Sequence, residues 1–183
     1  MDYNEIPAYL GVGTDFERDI INDPKWLKGI EWGTPRNGHP EGKVLYHIKD
    51  VLDNIDHGNY PADTKEKLRQ LALIHDSFKH MVDFSESQKN HGQYAREFAE
   101  GYLSDEEMLR VIELHDKAYS IWKRGMREQN MEKAEKKAME LLDTLGDAKD
   151  LYIAFYDCDN ATTGKSREHF YWFRSLRNHQ ETN

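Results

Sequence analysis

A single cysteine among 183 residues, Cys158, excludes an internal disulfide and fits a reducing cytoplasm. No run of about 18 apolar residues occurs, so no transmembrane helix and no membrane partner is expected. The opening residues, Met1-Asp2-Tyr3-Asn4-Glu5, lack the basic and then apolar regions of a secretory signal, and the expected location is cytoplasmic. Positive charge is in deficit: 25 Lys and Arg against 34 Asp and Glu give a formal net charge of −9. That balance argues against binding the backbone of a long nucleic acid. It leaves room for a small anionic ligand held locally by a metal and a few basic side chains. No segment alternates convincingly with period two, and there is no internal repeat or low-complexity linker. The expectation is one all-α domain over residues 1–183, with a core spanning about 38–160. Nothing in the sequence sets the oligomeric state.

What is present is a series of apolar stripes at helical spacing. Residues up to about Gly42 read as an irregular arm, punctuated at Gly11, Asp23-Pro24, Gly33-Thr34-Pro35 and Asn37-Gly38-His39-Pro40. Within it a short helix is expected over Thr14 to Asn22, capped by Thr14 or Asp15, with Trp26, Leu27, Ile30 and Trp32 packing the arm onto the domain. Val44, His47, Ile48, Val51, Leu52 and Ile55 form one stripe, stopped by His57-Gly58-Asn59. The next helix starts near Asp63 or Thr64 and ends in His75-Asp76. A third opens near Lys89 with His91, Tyr94, Ala95 and Phe98 on one side. A fourth is expected from Ser104-Asp105-Glu106-Glu107, a capping-box pattern, and aligns Met108, Val111, Ile112, His115, Tyr119 and Trp122. Glu128 to Lys137 reads as a solvated helix face leading into Ala138, Leu141, Leu142 and Leu145, broken by Gly146. A helix from Asp147 to about Asn160 and an extra one from Arg167 to Arg177 complete the chain.

The anomaly is where the histidines fall. His47, His75, His91 and His115 each sit on the apolar stripe of a different helix, and Asp159 shares a face with Leu151, Tyr152 and Phe155 on a fifth. Asp76 follows His75 directly. Asp159 is the better candidate and Asp157, aligned with Asp150, Ile153 and Ala154, the alternative. Four inward imidazoles and two inward carboxylates would be costly to bury without a common partner. A divalent transition metal resolves that cost, because it binds deprotonated imidazole and carboxylate directly.

The order His47, His75-Asp76, His91, His115, Asp159 resembles the HD-domain superfamily of metal-dependent phosphohydrolases. Gly38-His39-Pro40-Glu41-Gly42-Lys43-Val44-Leu45-Tyr46-His47 is similar to the stretch that opens the HD module of some bacterial tRNA nucleotidyltransferases, and His75-Asp76-Ser77-Phe78-Lys79 resembles the family's His-Asp-x-x-Lys. The resemblance runs from about Gly38 to Asp159. It implies a five-helix core with the metal among the helices and, with His91 and His115 present, the subgroup with two metals, in which Asp76 would bridge both ions. The chain departs from the nucleotidyltransferases in having no polymerase-like domain, and from cyclic-di-nucleotide hydrolases in lacking Gly-Tyr-Pro.

On this reading the ligands are His47, His75, Asp76, His91, His115 and Asp159, holding one or two ions of Mn, Fe, Co, Ni or Zn. The expected activity is hydrolysis of a small phosphoester, such as a nucleotide, by attack of a metal-activated water. Lys79, one turn after His75, is placed to hold a phosphate at the mouth of the site. Arg36, His39 and Lys43 in the approach to His47, and Lys165 and Arg167 beyond Asp159, are further candidates for its rim. Asp116 turns away from its stripe, toward the outer shell or solvent. His57, His80, His169 and His179 are expected on loops or exposed faces. Tyr119, Trp122, Tyr152 and Tyr156 are expected to be core rather than a nucleobase platform. Two rivals remain: a di-iron oxygenase of the same superfamily, and a non-catalytic, metal-stapled nucleotide-binding module.

Overall fold

A computed structural model describes residues 2–36, 40–84, 89–162 and 164–181, with backbone only for 83, 84 and 179–181. His39 and the His179 side chain therefore lie outside the described residues. The architecture is an all-α bundle, and no β-strand occurs among the described residues.

The N-terminal arm is more helical than its punctuation suggests. After a 3-10 turn come α1 (Ile6–Leu10), α2 (Asp15–Asn22) and α3 (Pro24–Ile30). Pro7 and Pro24 lie in the first turns of α1 and α3, where a missing N–H removes no helical bond, so they open helices instead of interrupting the chain. Thr14 caps α2 in a full capping box with Glu17, and the Asp23 carboxylate accepts from the Lys25 and Trp26 N–H groups at the head of α3.

The next helices follow the apolar stripes closely, apart from the short helix Lys79–Phe84, which no stripe indicates. They are α4 (Val44–His57), α5 (Ala62–Ile74), the short α6 (Lys79–Phe84), α7 (His91–Ala99) and α8 (Glu106–Leu114). The cap of α8 is Asp105, not Ser104: its carboxylate accepts from the Glu107 and Met108 N–H groups. The long helix expected through Trp122 is two helices, because α8 stops at His115 and α9 (Lys117–Glu128) begins two residues later. The buried Tyr152 hydroxyl fills that break, accepting from the Ala118 N–H at 3.2 Å and lying 3.2 Å from the Leu114 and His115 carbonyls. α10 (Met131–Leu145) returns along α9. At their crossing Gly125 has no room for a side chain, since a Cβ there would lie 2.6 Å from the Ala134 Cβ. Glu128 to Lys137 is mostly solvated, as its charge pattern indicates, although it spans the α9–α10 turn. A 3-10 turn at Gly146–Ala148, α11 (Lys149–Asn160) and α12 (Glu168–Glu181) end the chain.

α4, α5, α7, α8 and α11 pack around one interior. α3 supports it from outside: the fully buried Trp26 donates its indole N–H to the Leu73 carbonyl at 2.6 Å, and Gly29 lies directly against the Ser77 backbone. Two points of α3 thus brace the chain on either side of His75-Asp76. α2 is tied to α5 by Arg69, whose guanidinium reaches Glu17 and Asp56 at 2.7 Å each.

Candidate metal centre

His75 and His115 are placed in the same way. Each is the residue that closes a helix, α5 or α8, and each is buried. His75 Nδ1 lies 2.9 Å from the Ala72 carbonyl and His115 Nδ1 lies 2.8 Å from the Ile112 carbonyl. A carbonyl only accepts, so each Nδ1 must carry the hydrogen, and in the neutral ring Nε2 presents its lone pair. The helix ends supply those carbonyls, because the last turn of a helix leaves its acceptors unmatched. This is the orientation a metal-binding imidazole needs, with its far nitrogen tied to a backbone acceptor.

The six candidate residues fall into two sets of three. His47, His75 and Asp159 form one, and Asp76, His91 and His115 the other, with the donor atoms of each set within 4.8 Å of one another. In the first set His47 Nε2 lies 2.9 Å from Asp159 Oδ1 and 3.4 Å from His75 Nε2. In the second, His91 Nε2 and His115 Nε2 are 3.0 Å apart. Asp76 faces both. Its Oδ2 is 3.5 Å from His47 Nε2 and from His75 Nε2, while its Oδ1 is 3.6 Å from His91 Nε2 and 3.3 Å from His115 Nε2.

The Asp76 residue is 3% exposed, and its buried Oδ1 has no well-formed hydrogen bond. Leaving a buried polar atom unsatisfied costs about 1–3 kcal/mol, more when it is charged. The donor set therefore fits a cation, which would satisfy that oxygen and the facing lone pairs together. These buried His and Asp groups could hold a metal ion. Asp157, the alternative to Asp159, is turned away and paired with Arg167.

Electrostatics keeps most of the set ready to ligate. Burial pushes the His75 and His91 imidazoles down to about 3, well into the neutral form. Burial alone would raise the carboxyl pKa of Asp76 and Asp159, but Lys79 beside Asp76 and Lys165 beside Asp159, with the nearby imidazoles, outweigh it and hold both ionised. His115 goes the other way: burial opposes its charge, but the Asp76 carboxylate outweighs burial and raises its pKa. A cation bound at Asp76 would offset that pull and favour the neutral, ligating imidazole.

No family model, curated protein or solved structure matches the chain. The centre is therefore described by its own geometry. It opens on a cavity of about 380 Å³ that reaches Asp76, His115 and Asp159. Lys79 lies at this opening with Nζ 2.5 Å from Asp76 Oδ2, and Lys165 places Nζ 3.0 Å from Asp159 Oδ1. Arg36 also lines the cavity, with its guanidinium carbon 5.4 Å from the Trp32 ring centroid. Lys43 does not line it, because its ammonium is paired with Glu31. Arg167 is likewise taken up by Asp157. Asp116 is solvent-accessible as expected, but its carboxylate faces this cavity.

Four residues needed the structure to be placed. His80 and His169, expected on exposed surfaces, are both buried; His169 lies in the cavity wall, with Nδ1 2.5 Å from the Tyr156 hydroxyl. Glu41 sits with Oε1 3.5 Å from His47 Nδ1, both side chains nearly out of solvent, where it can orient His47 toward Asp159. Its signal was available as a carboxylate six residues before His47, in the turn that leads into α4. Lys123, an ordinary charge on α9 by pattern, joins the cavity lining. His57 is exposed as expected.

Proposed function

We propose that this chain is a metal-dependent phosphohydrolase acting on a small phosphoester, with Asp76 shared between two divalent transition-metal ions. The observation that carries the reading is the division of one buried carboxylate: Oδ2 faces His47 and His75, and Oδ1 faces His91 and His115. Imidazole and carboxylate donors suit Mn, Fe, Co, Ni or Zn. When bound, such ions acidify water and offset charge on a phosphoryl oxygen. The ordered ligand spacing that resembles the HD superfamily supports the same assignment.

The chain's own part is binding and charge. Nδ1–H bonds to backbone carbonyls fix the ligating faces of His75 and His115, and the Glu41 carboxylate approaches His47 Nδ1 to 3.5 Å. Lys79 and Lys165 bring ammonium groups to the two ligand carboxylates at the cavity floor. There they are placed to take up phosphate charge as it develops, with Arg36 at the rim. The cavity volume falls in the range of small-molecule sites, which favours a small phosphoester over a nucleic-acid chain.

The test is elemental analysis of purified protein, followed by phosphate release across nucleotides, sugar phosphates and cyclic nucleotides after loading with each metal. About two ions per chain and metal-dependent phosphate release are expected. A fully loaded protein that releases no phosphate from any of them would overturn the reading, and iron-dependent oxygen uptake would replace it with the oxygenase.

A further inference from the structure

The cavity is larger than a phosphate needs, and the wall away from the ligands is aromatic. Tyr119 and Trp122, one turn apart on α9, are half-buried and line it. Their rings lie within 24° of parallel as a stacked pair with centroids 6.4 Å apart, so both turn similarly oriented faces at this wall. His169 packs against both, at 4.8 Å from the Tyr119 centroid and 5.6 Å from that of Trp122. Tyr156 in turn fixes His169 through the hydroxyl–Nδ1 contact. The surface is thus braced by a second, buried layer and does not depend on a ligand for its shape. In contrast Tyr152, on the same sequence stripe as Tyr156, is wholly buried core.

We infer that Tyr119 and Trp122 form a subsite for a planar aromatic ring carried by the phosphoester, with the phosphate held at the Lys79 and Lys165 end. The placement of the phosphate rests on the hydrolase reading; the ring subsite does not. Stacking on aromatic side chains is tolerant of ring identity, because every such ring offers a π-face. The Lys123 ammonium, 5.4 Å from the Tyr119 centroid, adds a cation at the same wall for an anionic ligand. The ligand class is therefore an aromatic phosphoester, of which nucleoside phosphates are the common biological form, and not a sugar phosphate or an alkyl phosphate.

The test uses the metal-loaded full chain and pairs of non-hydrolysable phosphonates. The analogues of adenosine 5′-phosphate and uridine 5′-phosphate are compared with that of ribose 5-phosphate, which keeps the head group and sugar but has no ring. Titration calorimetry should give affinities roughly five- to a hundredfold tighter for the ring-bearing analogues. Trp122→Leu and Tyr119→Leu should each erode that preference while leaving ribose-analogue affinity and metal content unchanged, and Trp122→Phe should retain most of it. Equal affinities in the wild type would overturn the subsite, as would an undiminished preference in the folded, metal-loaded double variant. A ring preference without phosphate release from any substrate would uphold the subsite and overturn the hydrolase; phosphate release without a ring preference would do the reverse.

Discussion

Replacing Asp76 with Ala tests the centre at its most connected point. The change removes the carboxylate that faces four imidazoles and takes the partner from Lys79, whose ammonium lies 2.5 Å from Oδ2. Breaking a buried ion pair on one side costs about 3–5 kcal/mol. The Lys79 side chain is 21% exposed and opens on the cavity, where water can reach the ammonium, so about 3 kcal/mol is the upper end here. For a chain of this length that corresponds to a fall of roughly 6–12 °C in the metal-free Tm. Asp76→Ala with Lys79→Ala should recover most of the loss, because the two residues share one interaction. Neither variant should recover metal. Calorimetry of the apo proteins, with metal stoichiometry and phosphate release on the same preparations, gives all three readouts. An Asp76→Ala protein with full metal and full activity would refute the placement of the centre, and strictly additive losses in the double variant would refute the ion pair.

Lys79→Ala alone should leave the metal in place and slow turnover by roughly a hundred- to thousandfold, the usual cost of losing one transition-state charge donor, about 2.7–4 kcal/mol; wild-type kinetics would shift the role to Lys165 or Arg36. Glu41→Gln should weaken metal affinity about 10–100-fold, as loss of a ligand-orienting carboxylate commonly does, and equilibrium dialysis should locate the loss at the His47 set. Glu17 concerns stability. Burial would raise its pKa, but the Gly13 and Thr14 N–H groups and Arg69 outweigh it and hold the carboxyl below its ordinary 4.5. A folded pKa below the unfolded one means that the contribution is complete above about pH 4.5 and is lost as pH falls through the lower folded value. Glu17→Gln should therefore cost about 1–3 kcal/mol at neutral pH in urea unfolding and flatten the acid-side decline, and an unchanged decline would rule Glu17 out as its source.

Much of the helical order was legible in the chain because periodicity is local. The buried stripe of α4 begins at Val44, and Gly58 follows the last residue, His57, as its stop signal indicated. The inward histidines were legible for the same reason, since an imidazole on an apolar stripe is carried inward with its neighbours. Where a local signal had two meanings, the structure chose. Asp23-Pro24 could break a chain or open a helix, and packing of Trp26 against Leu73 makes it the latter. The stripe from Met108 to Trp122 ran on past His115, but a hydroxyl from α11 stabilises a break there.

Convergence belongs to the tertiary structure alone. Helical spacing says which way His47 and Asp159 face within their own helices; it says nothing of the 2.9 Å between them across 112 positions of chain. That separation depends on how α4 and α11 pack, as the double-facing of Asp76 depends on α4, α5, α7 and α8 meeting at one carboxylate. The same limit hid the cavity. Tyr119 and Trp122 look like core by pattern, and Lys43 looks like a phosphate ligand, because a one-dimensional repeat cannot distinguish a buried wall from a wall beside a void or foresee that Glu31 claims the lysine. Local chemistry set the donors and their inward faces; the packing of distant helices decided which atoms meet and what space they enclose.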